Sequence, residues 1–225
     1  MRTADGEKAL IRGAIFDLDG TLLNTVSALQ RSMNLTLKEF GLPEIGAQEV
    51  KKYVGNGSLN YVIRSLRRFG KDDPALVQAV YRRYLEIFDR NSTFGVRPYD
   101  GMPEALEALR DRGICLAVFS NKPQKQVEDN IRACYGETLF AAVRGETPGI
   151  PLKPDPAGLF RLLSDLELTP AECLYFGDTG TDMETGTAAG LHTIGVLWGF
   201  REEAELKVLH PERILKDPCE IPGLI

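Results

Sequence analysis

Ala14-Ile15-Phe16-Asp17-Leu18-Asp19-Gly20-Thr21 is the stretch on which the reading of this 225-residue chain turns. An unbroken apolar run gives way to two aspartates one residue apart and then to a Gly-Thr turn. Short apolar runs without polar alternation read as strands covered on both faces, the pattern of a parallel sheet. Ala14–Leu18 is one such run, and Cys115–Ser120, Leu174–Gly177 and Thr193–Trp198 are three more. Helical patterns lie between them: Pro103–Arg112, closed by Gly113, and Asp182–Ala189, closed by Gly190. The alternation predicts an α/β fold, a Rossmann-like parallel sheet with helices on both faces.

Residues 24–91 break the alternation, with helical periodicity and no convincing strand. Val26, Leu29, Met33, Leu37 and Phe40 mark one apolar stripe, Leu59, Val62, Leu66 and Phe69 a second, and Val77, Tyr81, Tyr84 and Phe88 a third. Gly41-Leu42-Pro43, Gly55-Asn56-Gly57 and Gly70 to Pro74 separate them. The expectation is an α-helical cap domain at 24–91, inserted into a core built from 1–23 and 92–225. The crossings, Leu22–Thr25 and Ser92–Pro98, are the expected hinges.

Composition narrows the partners. A hydrophobic share of 43% and a charged share of 26% are those of an ordinary globular chain. No apolar run is long enough to span a bilayer, and Met1–Arg12 lacks the apolar stretch of a secretory signal. We therefore expect a cytoplasmic protein with no membrane partner, as a monomer or homodimer. A formal charge of -5 without a basic stripe argues against nucleic acid but leaves room for a small anion. Cys115, Cys134, Cys173 and Cys219 are widely spaced, with only His192 and His210 to join them, so zinc is not expected and Cys115 and Cys173 read as reduced core residues.

In open α/β sheets the ligand site lies outside the carboxyl ends of the strands. The first strand ends in Asp17-Leu18-Asp19-Gly20-Thr21, the second in Ser120-Asn121-Lys122, and the third in Asp178-Thr179-Gly180-Thr181-Asp182, with Lys153-Pro154 between the last two. Carboxylates gathered on one rim repel, by about 4 kcal/mol for a pair about 4 Å apart at an effective dielectric near 20. A cation is needed, and oxygen ligands without cysteine or histidine favour Mg²⁺. Each motif taken singly has a plainer explanation. Asp and Gly build turns, Ser120-Asn121 caps a helix, Lys153 is a solvated lysine, and Asp178 and Asp182 are loop and cap residues. All of them in order at strand ends and helix starts favour a phosphoryl-transfer site.

These motifs, Asp17-Leu18-Asp19-Gly20-Thr21, Ser120-Asn121, Lys153-Pro154 and Gly177-Asp178-Thr179-Gly180-Thr181-Asp182, resemble those of the haloacid dehalogenase superfamily of phosphatases over nearly the whole chain. Tyr53-Val54-Gly55-Asn56-Gly57, Pro98-Tyr99-Asp100-Gly101, Ser120-Asn121-Lys122-Pro123 and Trp198-Gly199-Phe200 look like the phosphoglycolate phosphatase branch. The resemblance implies that Asp17 attacks phosphorus to give an aspartyl phosphate, and that Asp19 protonates the leaving oxygen and later deprotonates water. It implies Mg²⁺ held by Asp17, the Asp19 carbonyl and Asp178, with Asp182 one water further out. Ser120, Asn121, Lys153 and the Gly20-Thr21 turn are the expected phosphate ligands. Asn56 and Arg64 are the expected cap-side contacts, an arginine suiting a carboxylate.

The implied substrate is 2-phosphoglycolate or a similar small phosphorylated metabolite. A sugar phosphomutase of the β-phosphoglucomutase kind shares both aspartates and the cap. Pyrophosphate and nucleotide monophosphates are further candidates, and a phosphonate hydrolase would need Lys51 or Lys52 as a Schiff base. A dehalogenase would not require Asp19. A non-catalytic module sensing a phosphorylated ligand is the alternative of another class, and it would not require both a nucleophile and an acid.

Overall fold

The computed structural model describes residues 10–225; residues 1–9, which belong to the expected core segment 1–23 and to the stretch scanned for a signal, lie outside the described residues. In chain order the elements are β1 (Gly13–Phe16), β2 (Leu23–Asn24), α1 (Val26–Glu39), α2 (Ala47–Tyr53), α3 (Ser58–Arg67), α4 (Pro74–Asn91), β3 (Arg97–Pro98) and α5 (Met102–Asp111). There follow β4 (Cys115–Pro123), α6 (Gln124–Tyr135), β5 (Ala142–Glu146), α7 (Ala157–Asp165), β6 (Cys173–Gly177), α8 (Gly180–Ala189), β7 (His192–Val196), α9 (Glu203–Lys207) and β8 (Arg213–Leu215).

Six strands form one parallel sheet in the order β5-β4-β1-β6-β7-β8. The four residues of β1 are buried on both faces, which explains their unalternated apolar pattern. Successive side chains supply opposite layers. Ala14 and Phe16 join Leu116, Val118, Leu174 and Phe176 against α5 and α6, whereas Ile15 joins Ala117, Phe119 and Tyr175 against α7. Phe16 pairs in register with both Val118 and Phe176 and stacks on the Phe176 ring at 4.6 Å. Truncating one of the buried leucines of these layers costs about 2–5 kcal/mol. The strand order reverses direction on either side of β1, so the carboxyl ends of β1, β4 and β6 bound the crevice where such sheets hold ligands.

Helices α1–α4 carry their own apolar centre. All of its buried members except Phe200 come from residues 28–88, among them Leu29, Met33, Leu37, Val62, Leu66, Val77, Tyr84 and Phe88. Helix α4 starts where Asp73 accepts hydrogen bonds from the Ala75 and Leu76 amides at 3.0 and 3.1 Å, with Pro74 in the first turn. The two crossings pair with each other, Leu23 with Pro98 and Asn24 with Arg97, in a short antiparallel ladder.

Several expectations need correcting. Strands β5 and β8 have no counterpart among the four apolar runs, because they are sheet edges with Leu215 as their one buried residue. Helix α2 is too short to show a periodic stripe. The second strand runs on to Pro123, so Ser120-Asn121-Lys122 belongs to β4 and does not follow it. Leu59 points outward at 36% exposure, its expected place in the stripe of α3 being taken by Tyr61. Cys173 is fully buried as expected, while Cys115 is only half-buried.

Candidate active site

The backbone delivers the site residues to one rim. After β1 the chain turns tightly, with Thr21, Leu22 and Leu23 all donating to the Leu18 carbonyl. Gly20 sits there at φ +90°, and a Cβ would run into the Asp178 carboxylate, so only glycine serves. Helix α8 begins at an N-cap, Thr179, and Asp182 reaches back to its amide and hydroxyl at 3.1 and 2.6 Å.

Lys153 is the hub. Its ammonium, 4% exposed as a residue, donates to Asp17 Oδ1 at 2.8 Å, Asp182 Oδ1 at 2.6 Å, the Tyr175 hydroxyl at 3.1 Å and the Phe119 carbonyl at 3.2 Å. Asn121 fixes the segment that carries it, since Asn121 Oδ1 accepts from the Lys153 amide at 2.8 Å and Nδ2 donates to the Lys153 carbonyl at 3.0 Å. Asp178 is held from both sides: Thr21 Oγ1 donates to Oδ1 at 3.2 Å and the Phe200 amide to Oδ2 at 2.7 Å. Trp198 Nε1 donates to the Thr21 carbonyl at 2.9 Å, tying the loop after β7 to the turn after β1.

Burial sets the electrostatics. Loss of hydration pushes the Asp17 carboxyl up to about 7, against the pull of Lys153 and with help from Asp182 and Asp19. Burial likewise raises Asp178, reinforced by Asp182 and Asp17. For Lys153 burial works downward, but Asp17 and Asp182 outweigh it and keep the ammonium charged. The cluster is therefore short of positive charge. Carboxylate oxygens of Asp17, Asp178 and Asp182 lie within 4.8 Å of one another, and the Lys153 ammonium pairs with Asp17 and Asp182 but not with Asp178. All-oxygen donors with no sulfur or imidazole among them fit a hard divalent cation. Both oxygens of Asp182 are already engaged, by Lys153 and by Thr179, which suits an outer position.

A cavity of about 40 Å³ lies between this rim and the helical unit, and Asp17, Asp19, Ser120, Asn121 and Lys122 form its sheet side. Among the described residues no donor reaches Asp17 Oδ2, so one carboxylate oxygen is held and the other is free.

Not every expected ligand arrives. Thr21 is fully buried, and its hydroxyl is spent on Asp178. Asn56 and Arg64 stand outside the cavity, in a separate cleft with Lys52, Arg67 and Arg201. The Arg64 guanidinium is occupied by the Tyr53 carbonyl at 2.8 Å and Asn56 Oδ1 at 2.7 Å, and Asn56 Nδ2 donates to Thr181 at 2.8 Å. The glycines flanking Asn56 line the cavity instead. Lys122 is the residue whose role went unread: its buried ammonium holds Asp19 Oδ1 at 2.8 Å. The signal was its spacing, two residues beyond Ser120 and hence on the same strand face.

The family model for haloacid dehalogenase-like hydrolases matches residues 14–196. The chain belongs to this family. Its match spans Asp17, Asp19, Ser120, Lys122, Lys153, Asp178 and Asp182 and ends before Trp198 and Phe200. Among its relatives, the phosphoglycolate phosphatase of Haemophilus influenzae Rd is 30% identical over 215 residues, 93% of this chain and 96% of that protein. The phosphoglycolate phosphatase of Mannheimia succiniciproducens is 32% identical over 216 residues, with the same coverage of 93% and 96%. A crystal structure named as a predicted phosphoglycolate phosphatase from Haemophilus somnus 129PT superposes with a TM-score of 0.87 at 28% identity, covering 95% of this chain and 97% of that one. The chain is thus a haloacid dehalogenase-type phosphatase, similar to the phosphoglycolate phosphatase branch. No helix is long and apolar enough to cross a membrane among the described residues.

Proposed function

We propose that this chain is a Mg²⁺-dependent phosphomonoesterase that works through an aspartyl phosphate and acts on 2-phosphoglycolate or a phosphorylated acid of similar size. The observation that carries the reading is the division of Asp17, a residue of the cavity that Asp19 also lines, with Oδ1 fixed by Lys153 at 2.8 Å and Oδ2 left without a donor among the described residues. A nucleophile must keep one oxygen free and be held by the other.

In the first step Asp17 Oδ2 forms a bond to phosphorus as the ester oxygen leaves, and the Asp19 carboxyl gives its proton to that oxygen. In the second, Asp19 takes a proton from water, water oxygen bonds to phosphorus, and the bond to Asp17 breaks, restoring both carboxyls. Ser120, at the cavity wall, binds a phosphoryl oxygen, the Lys153 ammonium holds Asp17 and offsets its charge, and Lys122 fixes the orientation of Asp19. The Asp17 and Asp178 carboxylates and the Asp19 carbonyl are the residues that would hold Mg²⁺, with Asp182 behind them. When bound, Mg²⁺ supplies positive charge that lets two anions approach each other.

Residues 24–91 act as a cap on a core formed by 1–23 and 92–225, closing over the site and excluding water. Arg201, beyond β7, supports the closed arrangement by donating to the Lys51 carbonyl and to the Val54 carbonyl at 2.9 Å. Cavity size argues for a small substrate. The cavity's volume is about 40 Å³, at the low end for a ligand site. The names of the relatives point to 2-phosphoglycolate. Such a substrate fits the cytoplasm and calls for neither nucleic acid nor membrane.

The test is a steady-state comparison of 2-phosphoglycolate, pyrophosphate, glucose phosphates and nucleoside monophosphates with Mg²⁺ present and absent. Metal-dependent turnover with the highest kcat/KM on 2-phosphoglycolate supports the proposal; turnover that survives in Asp17→Asn removes its mechanism.

A further inference from the structure

Tyr84 carries a hydroxyl that neither the fold nor the proposed chemistry uses. Its ring is fully buried among α1–α4, edge-on to Tyr61 at 5.7 Å and stacked on Phe88 at 5.3 Å. The Tyr61 hydroxyl finds the Leu29 carbonyl at 3.3 Å, but the buried Tyr84 hydroxyl has no partner among the described residues. Phenylalanine would pack there without leaving a buried hydroxyl unsatisfied. Tyr84 lines the cavity that Asp17 and Asp19 line from the opposite side.

Two other donors share that cavity. An ammonium has three protons, and among the described residues Lys122 donates only to Asp19, at 2.8 Å, while lying over the Phe88 ring at 5.1 Å. Helix α3, ten residues long, begins beside the cavity with Gly57 at its N-cap and no side chain capping it. Its first amides and the positive end of its dipole thus stand at the cavity wall. The rest of the helical side of the wall, including Leu29, Val54 and Phe88, offers no carboxylate to compete for these donors.

We propose that the Tyr84 hydroxyl, the first turn of α3 and the spare protons of Lys122 form a seat for a second anionic group on the substrate, a carboxylate a few atoms from the phosphorus. The seat rests on the phosphatase reading above and assigns recognition of the substrate's acid group to these residues. Tyr84 is then a specificity residue that touches the substrate's far end and takes no part in phosphoryl transfer.

Two measurements test this. In the Mg²⁺-loaded full chain, kcat/KM for 2-phosphoglycolate divided by that for ethyl phosphate, which keeps the ester and lacks the carboxylate, falls about tenfold in Tyr84→Phe, mainly through KM. An unchanged ratio overturns the seat, whether both rates hold or both fall. Calorimetric binding to the wild-type protein needs neither the variant nor turnover: phosphonopropionate binds about tenfold tighter than propylphosphonate. Equal affinities overturn the seat. An inactive wild-type enzyme that still discriminates between these two ligands refutes the phosphatase proposal and leaves the seat standing.

Discussion

Removing the metal and varying the pH tests the carboxylate cluster at its weakest point. The Asp17 carboxyl moves from an ordinary 3.8 to about 7 on folding, chiefly through burial. A carboxyl whose folded pKa is raised contributes its full stability below the unfolded value and loses it as pH rises through the folded one. The metal-free protein therefore loses stability between about pH 4 and about pH 7, by on the order of 4 kcal/mol from Asp17, at about 1.36 kcal/mol per pH unit. Asp178, raised by burial as well, acts in the same direction. A cation that binds the ionised cluster must displace the proton at low pH and need not do so at high pH. Between about pH 5.5 and about pH 7.5 the Asp17 proton alone changes the metal affinity by about twentyfold, close to 2 kcal/mol. For a chain of this size that is a difference of about 4–8 °C in the Tm gain from millimolar MgCl2. Thermal scans of the metal-free and Mg²⁺-loaded protein across this range read it directly. A gain that is the same at both ends, or a pH dependence that persists undiminished in Asp17→Asn, refutes the reasoning.

Three further outcomes are expected. Lys153→Met leaves Asp17 and Asp182 buried without their counter-ion, and urea unfolding of the metal-free protein should show a loss of about 3–5 kcal/mol, with kcat down by at least about a hundredfold when Mg²⁺ is restored. Gly20→Ala forces a methyl group toward Asp178 at a φ that alanine resists; a loss of about 1–3 kcal/mol is expected in the same assay, together with weaker Mg²⁺ binding by calorimetry. Arg201→Ala removes the donors to the Lys51 and Val54 carbonyls, so hydrogen exchange at residues 47–57 should quicken and KM for 2-phosphoglycolate should rise several-fold.

What could be read in the sequence is what depends on buried strands and their ends. Ala14–Phe16 declares itself because a strand covered on both faces has no polar alternation, and the residues that follow such strands have to share a rim. Edge strands β5 and β8 have no such constraint and are invisible to it. In the helical unit, periodicity marks which residues are buried together but not which loop closes over the rim. Arg64 carries suitable chemistry, yet the chain spends its guanidinium on Tyr53 and Asn56, and the neighbouring Gly57-Ser58 turn takes the place at the cavity. Tyr84 and Lys122 went unread for opposite reasons. Tyr84 sits in an apolar stripe where its hydroxyl looks incidental, and a lysine near Pro123 looks solvated until the fold buries it beside Asp19.

The central claim is that Asp17 becomes phosphorylated. Rapid acid quenching of the wild-type enzyme during turnover of 2-phosphoglycolate with Mg²⁺, followed by peptide mass spectrometry, measures this most directly. The expected result is a phosphoryl group on Asp17 that appears within the first turnover, decays at the rate of phosphate release and is absent in Asp17→Asn. Phosphate release with Asp17 unmodified at every time point, under conditions that preserve acyl phosphates, would contradict it.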